Sequence, residues 1–287
     1  MLATTCAPLR AAVTSSRWHP FSPFPLVAPD GTVSEPASGR FCVTCRPGEG
    51  CDGLERAFRD CPSGGSILLE EGVYHLTRPL LLARSVHVFG RGKAELRGGL
   101  APPATAAVGE LLVSRSSFAT LDRVRIVNRS EGSSFTVYVK DGRLRLQGCD
   151  VSATPTNGYT MVRADGAGTS AELVGCDLHD GGWAGVSFNV GAGGCVSGCA
   201  VTGFPLKCGV FLDGAGTCPR VERCRFSGCG VGLYVFGAVD RAWEQGEGNT
   251  FEACPGGTVV DKRGAQQLPC GPQGTRRGGG RGGGSVS

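Results

Sequence analysis

AELVGCDLHDGGWAGVSFN, residues 171–189, recurs in altered form both before and after itself along the chain. When the copies are aligned, one column reads Val124, Cys149, Cys176, Cys199, Cys224 and Asn249, with gaps of 23 to 27 residues. A second column advances in the same rhythm and reads Val137, Thr160, Val186, Val210, Leu233 and Thr258. Two columns in step show that the chain is built from repeats of about 25 residues.

Within each repeat the apolar residues alternate over a few positions, which is typical of a strand. Cys176 and Leu178 therefore point to one side, and Asp177 and His179 to the other. Glycine-rich corners follow, such as GAGG from Gly191. Short strands at this period, with no helical segment between them, predict an all-β fold. We expect a right-handed parallel β-helix solenoid of roughly seven coils.

Residues 52–61, DGLERAFRDC, interrupt the strand pattern near the start of the repeats. Leu54, Ala57 and Phe58 fall on one face of a helix, and Asp52 is a suitable N-cap. The strand SILLEE follows from Ser66. This order predicts a short N-terminal capping helix that covers the open end of the first coil.

The composition divides the chain into three parts. Residues 1–49 are rich in proline and predict a disordered or leader segment, with a faint transit-peptide composition as the alternative. Residues 50–263 form the predicted β-helix domain, with APPATAAVG from residue 101 as a loop inserted between coils. Residues 264–287 predict a disordered Gly/Arg-rich tail, a composition also used for loose contact with single-stranded nucleic acid.

Charge and cysteine content narrow the class of protein. The formal net charge is +4, but residues 262–287 hold five basic side chains and no acid, which leaves the solenoid nearly neutral. No apolar run approaches the roughly 20 residues that span a bilayer, so we expect no membrane association. Fifteen cysteines, an odd number, with no convincing signal peptide, favour reduced thiols in the cytoplasm or nucleus. We expect no cofactor.

A group of cysteines near the start of the solenoid raises the question of a metal. Cys42, Cys45, Cys51 and Cys61 include one Cys-x-x-Cys pair, the kind of pair that contributes to tetrahedral zinc sites. The second pair is spread over ten residues, whereas a strong zinc signal needs two close pairs. We therefore prefer incidental free thiols to a zinc site.

Outward positions beside the cysteine column carry candidate chemistry. Asp150 and Asp177 are expected on adjacent coils, with His179 on the same face and Asp180 next to it. Two carboxylates and an imidazole form a candidate acid/base cluster. The string DLHD is similar to the DPHD motif of mannuronan C-5 epimerases, with Leu178 in place of the proline. That similarity implies a polysaccharide lyase or uronate epimerase that acts on acidic polysaccharide. Asp177, His179 and Asp180 would then be its catalytic residues.

A second resemblance covers more of the chain. CDLHDGGWAGVSF, CPRVERCRFSGCGVGLYVF and GNTFEACPGGTVV resemble the β-helix repeats of F-box-only ubiquitin-ligase subunits and Shc-binding β-helix proteins. The opening LERAFRDCPSGGSILLEEGVY is similar to the first coil of those proteins. Their ladder position is usually asparagine, where this chain has four cysteines and Asn249. Their corners often contain an Ile-His-Asp-Gly string, so the resemblance implies that LHDG from Leu178 is a corner and that the protein is a non-catalytic platform.

A stripe of outward residues on the second strand of each repeat indicates where a platform could bind. The stripe contains Tyr138, Met161, Phe211 and Tyr234, together with Ser187 and Val259. Their inward neighbours are already apolar, so these side chains are surplus to the core. Exposed aromatic residues in a row are typical of an interface. We interpret the chain as a non-catalytic binding or scaffold module for a protein or glycan, or else a solenoid whose own loop or N-terminal arm covers the stripe.

Overall fold

The computed structural model describes residues 42–99, 110–130, 135–155, 158–240, 243 and 245–263. In these residues the chain forms a parallel β-solenoid with three eight-stranded sheets, together with one α-helix. Each complete turn contributes one strand to each sheet, so the solenoid has about eight turns, where roughly seven were predicted. The first column of the sequence pattern immediately precedes the second sheet. The second column falls in the third sheet, except for Thr258, which comes just before the last strand.

Within each sheet, strands from successive turns pair in the order of the chain. The first sheet contains β1 Val43–Cys45, β2 Gly65–Leu69, β5 Val86–Gly90, β8 Ala119–Asp122, β11 Arg143–Gln147, β14 Ser170–Val174, β17 Gly193–Ser197 and β20 Arg220–Glu222. The second sheet contains β3 Gly72–Leu76, β6 Ala94–Gly98, β9 Arg125–Asn128, β12 Asp150–Ser152, β15 Asp177–His179, β18 Ala200–Thr202, β21 Arg225–Ser227 and β23 Thr250–Glu252. The third sheet contains β4 Leu80–Leu82, β7 Glu110–Ser114, β10 Phe135–Val139, β13 Thr160–Asp165, β16 Ala184–Asn189, β19 Cys208–Asp213, β22 Val231–Gly237 and β24 Val259–Arg263.

The cysteine column is confirmed as an inward ladder. Its residues Cys149, Cys176, Cys199 and Cys224 are each no more than 2% exposed. The thiols also form hydrogen bonds: Cys176 Sγ donates to the carbonyl of Leu146 at 3.3 Å, and Cys224 Sγ donates to the carbonyl of Val196 at 3.3 Å. Asn249 ends the ladder and donates in the same way to Val221 at 3.0 Å. The thiols therefore bond the backbone of the preceding turn in the way that an asparagine does.

The second column is partly wrong. The third sheet pairs Val137 with Val162 and Val162 with Val186, so Thr160 lies two residues before its predicted position. In the last turn Leu233 pairs with Val259, one residue after the predicted Thr258. The cause is the connection between the second and third sheets, which has seven residues before β13 but only four before β16. Equal spacing along the chain does not preserve the register when connections differ in length.

Met161 lies in the core, which contradicts its predicted place on the outer stripe. The two-residue shift is not the cause, because it preserves strand alternation. Met161 stands at the start of β13, next to a corner of the solenoid, where its side chain turns inward. Its side chain is 1% exposed and belongs to the main hydrophobic core. The outward residue of β13 that pairs with Tyr138 is Arg163. The residue of β16 that corresponds to Met161 is Gly185, which precedes Val186.

The N-terminal cap is confirmed as a short helix, α1, Gly50–Asp60, whose buried face includes Leu54, Ala57 and Phe58. The N-cap is Glu49, three residues before the predicted Asp52. The carboxylate of Asp52 instead accepts a hydrogen bond from Arg78 at 2.6 Å. Strand β1 precedes the helix and pairs with β2, so the first sheet already begins ahead of residue 50.

Three predicted segments lie mostly or wholly outside the described residues: the leader, apart from 42–49, the inserted loop from residue 101, and the Gly/Arg-rich tail. All cysteines within the described residues are free thiols. The helix that the structure describes is too short to cross a membrane.

Candidate functional site

A cluster of aromatic rings packs on the outer face of the third sheet, apart from the main core. Phe211 on β19 pairs with Tyr234 on β22, and their rings stack with centroids 5.8 Å apart. Trp183, in the corner before β16, meets the Phe211 ring edge-on at 5.2 Å. The Phe236 ring lies 6.5 Å from that of Phe211 and 6.3 Å from that of Tyr234. We call Trp183, Phe211, Tyr234 and Phe236 the aromatic cluster.

The rings of the aromatic cluster differ in exposure. Phe211 is only 6% exposed and forms the floor of the cluster, over Ala184 and Cys208. Trp183, Tyr234 and Phe236 are partly exposed around it. Phe211 is therefore not the open ring that its outward position predicted, because its neighbours cover it. The surface that faces solvent consists of the three outer rings.

Two lysines lie against the rings of the aromatic cluster. Lys207 Nζ lies 4.5 Å from the centroid of Tyr234, 5.5 Å from that of Trp183 and 5.6 Å from that of Phe211. Lys262 Nζ lies 5.9 Å from the centroid of Tyr234. Such cation–π contacts are weak when solvent-exposed. Within the part of the chain that the structure describes, neither ammonium group has a carboxylate partner, so both are available to an anionic group.

Tyr138 belongs to a second aromatic group on the same face. Its ring lies 5.0 Å from Phe135, which meets Tyr159 at 5.3 Å. The Tyr138 hydroxyl donates to Asp165 at 2.7 Å. Burial, followed by this hydrogen bond, raises the pKa of Tyr138 to about 12. Tyr138 and Tyr234 are four strands apart, about 19 Å along the solenoid axis at the usual strand spacing.

The sequence pattern did not predict every residue of this aromatic face. Phe236 follows Tyr234 by two residues on one strand, so strand alternation could have found it. Trp183 and Lys207 lie in corners outside the strands, where alternation does not predict direction. Only the path of the chain at those corners brings them over Phe211.

The predicted acid/base residues meet on the outer face of the second sheet. Asp150 pairs with Asp177, as predicted, and Ser152 pairs with His179. His179 Nε2 lies 3.2 Å from Asp150 Oδ1, and its Nδ1 lies 2.7 Å from Asp180 Oδ2. Asp177 is exposed, and within the described residues it has no ion pair. The imidazole is thus held between the carboxylates of Asp150 and Asp180, and the carboxylate of Asp177 lies apart from them.

The two carboxylates set the protonation of the imidazole. Burial acts to lower the pKa of His179, but the hydrogen bond with Asp180 and the negative charge of Asp150 outweigh it and raise the pKa. The Asp150 carboxylate also faces Arg125, whose Nε lies 3.5 Å from Oδ1. A histidine in this setting keeps its proton to higher pH, which suits a general acid better than a general base.

Asp180 also has a backbone role in the DLHD string. Its φ is +59°, in the left-handed region that aspartate tolerates better than most residues. In the next two turns the corresponding corner positions are Gly203 and Gly228, with φ of +75° and +61°. The string therefore runs along strand β15 and reaches a corner of the solenoid at Asp180.

The four cysteines near the cap differ in exposure. Cys45, Cys51 and Cys61 are buried, while Cys42 is exposed. In the described ranges no group of three or more histidine, cysteine, aspartate and glutamate side chains is placed to hold a metal ion.

A surface cavity of about 370 Å³ lies between α1 and β4 and is lined by Phe58, Leu80 and neighbouring residues. Neither the aromatic cluster nor the acid/base residues border it.

Comparison with known proteins assigns the fold. The family model described as right-handed β-helix region matches residues 110–267, more than half of the chain. The chain belongs to this right-handed β-helix family. No curated protein and no solved structure gives a significant match. The family accommodates binding scaffolds as well as enzymes that act on polysaccharides, so function has to be argued from the surface.

Proposed function

We propose that this protein is a non-catalytic binding module, and that its contact surface is the aromatic cluster with Lys207 and Lys262. One observation carries the proposal. Four rings pack together outside the main core, three of them partly exposed, with ammonium groups close to the rings. The interior of the solenoid is filled without them. A partner of this face is a protein or a glycan.

The physical case rests on preorganisation. The rings are fixed by the strands below and by one another, so little side-chain entropy is lost when a partner binds them. Tyrosine and tryptophan dominate the binding energy of many interfaces. The lysines favour a partner that presents carboxylates or sulfates beside an apolar surface. Within this proposal, the resemblance to F-box-only ubiquitin-ligase subunits and Shc-binding proteins favours a protein partner.

We expect Trp183→Ala and Tyr234→Ala each to weaken partner binding about 5- to 30-fold, the equivalent of roughly 1–2 kcal/mol for a buried anchor. Melting temperature should change little, because both rings lie outside the main core. Pull-down and a glycan array, run in parallel on the full chain, identify the partner. Titration of each variant then gives its affinity.

The matched control is Leu81→Ala, because Leu81 is 49% exposed on β4 at the other end of the third sheet. It should leave the affinity unchanged. Loss of stability in both aromatic variants, with full affinity, would show that the cluster is a structural element and not a contact surface.

The placement of His179 between Asp150 and Asp180 supports a second candidate, a lyase or uronate epimerase. Such an enzyme moves a proton next to a uronate carboxylate, and His179 could deliver one. We expect no turnover of alginate or polygalacturonate by the wild-type chain, followed by the ultraviolet absorbance of unsaturated products and by NMR for epimerised ones. Turnover that disappears in His179→Gln, with binding retained, would place the enzyme first.

A cytoplasmic or nuclear location stays a prediction, as does contact between nucleic acid and the Gly/Arg-rich tail.

A further inference from the structure

Two cysteines at the N-terminal cap are anchored by backbone hydrogen bonds. The amide of Cys42 donates to the carbonyl of Ser66 at 2.8 Å, which fixes the chain as it enters β1. The amide of Cys61 donates to the carbonyl of Ala57 at 2.9 Å, at the C-terminal end of α1. The positions of both residues are therefore determined by the fold.

Their sulfurs border one small space beside Gly65. A Cβ atom at residue 65 would lie 2.7 Å from Cys61 Sγ and 3.1 Å from Cys42 Sγ, so only glycine fits there without displacing them. Burial raises the pKa of Cys61 to about 11, and the negative charge of Cys42 and a hydrogen bond with it act in the same direction. That direction is expected when the Cys61 thiol donates to the Cys42 sulfur.

We propose that Cys42 and Cys61 are a redox modification site, and that a small-molecule disulfide oxidant converts them into an intramolecular disulfide that pins the N-terminal cap. The two thiols differ in access, since Cys42 is exposed and Cys61 is fully buried. Cys45 faces the core at 1% exposure, out of reach of the oxidant. The proposal is independent of the binding function.

The chemistry proceeds by two exchange steps. The Cys42 thiolate, having lost its proton to solvent, attacks one sulfur of the oxidant, and a mixed disulfide forms while the first small thiol leaves. Cys61 then gives up its proton and attacks the Cys42 sulfur, which expels the second small thiol. The oxidant gains two electrons, and the protein loses two hydrogen atoms. Because the pKa of Cys61 is raised, we expect the second step to be the slower one.

The cross-link would enclose β1 and α1. The helix covers the first turns of the core with Leu54 and Phe58, so its detachment would expose the end of the solenoid. A disulfide that closes a loop of this size restricts the unfolded chain. We expect a rise in melting temperature on the order of 5 °C.

The test treats the full chain with oxidised glutathione. Peptide mapping by mass spectrometry without reduction should find residue 42 joined to residue 61, and the melting temperature should rise. Cys42→Ser is tolerated because Cys42 is exposed, and it should abolish both the cross-link and the rise. Cys45→Ala should retain the cross-link.

Three results would overturn the proposal. One is a mixed disulfide on Cys42 that never resolves, and another is a cross-link that disappears in Cys45→Ala. The third is a joined pair whose melting temperature equals that of the reduced chain, which would show that the bond does not pin the cap.

Discussion

Cys176→Asp is expected to destabilise the solenoid by about 3 kcal/mol or more, one of the largest effects that a single substitution can have on this fold. Cys176 is 2% exposed in the middle of the ladder. Its thiol donates to the carbonyl of Leu146, and its amide donates to Cys199 Sγ at 3.4 Å. An ionised aspartate can accept from the backbone amide of Cys149, which bonds the side chain at this position. It has no proton for the carbonyl of Leu146, and it carries a charge out of water.

Cys176→Asn is the matched control, because asparagine has nearly the shape of aspartate and keeps a donor. Asn249 shows how the amide fits the ladder, since its Oδ1 accepts from the amide of Cys224 at 3.0 Å while Nδ2 donates to Val221. We expect the asparagine variant to stay within about 1.5 kcal/mol of the wild type. Urea unfolding at pH 7 measures both variants.

The pH dependence separates charge from shape. A buried aspartate has its pKa raised above the unfolded value of about 3.9. Relative to the wild type, Cys176→Asp should therefore lose least stability below about pH 4, and the loss should grow as the pH rises through the folded-state pKa. The gap between the Asp and Asn variants should widen accordingly. A constant gap from pH 4 to 7 would contradict burial of this position.

Gly209→Ala is expected to cost about 1–3 kcal/mol, although it adds a single methyl group. A Cβ at residue 209 would lie 2.4 Å from Cδ1 of Phe226 and 2.9 Å from the carbonyl oxygen of Gly232. Phe226 is fully buried, and its ring stacks on Phe251 at 5.1 Å, so it has little room to move. Glycine at this position makes space for the ring.

Gly193→Ala is the control for strand propensity, since a Cβ at residue 193 of β17 meets nothing within 4 Å. We expect it to change the unfolding free energy by less than about 0.5 kcal/mol, or to stabilise slightly. Phe226→Leu combined with Gly209→Ala should cost less than the sum of the two single substitutions, because the smaller side chain relieves the contact. Additive costs in denaturant unfolding would rule out the proposed clash.

The sequence alone determined the fold class, the cysteine ladder and the adjacency of Asp150 and Asp177. Each of these depends on the short segment from the ladder residue into the second sheet, which keeps the same length in every turn. Because apolar and polar residues alternate over these few positions, only one side of the strand can face the core. The capping helix was equally local, because its apolar face lies within eleven residues.

Only the tertiary structure decided the register of the third sheet and, with it, the candidate binding surface. Connections of unequal length paired Arg163 with Tyr138 on the outer face. Met161 is buried because it stands beside the corner at the start of β13. Trp183 and Lys207 reach Phe211 from corners. Corner geometry depends on packing between turns, and so it does not follow from the periodicity of the strands.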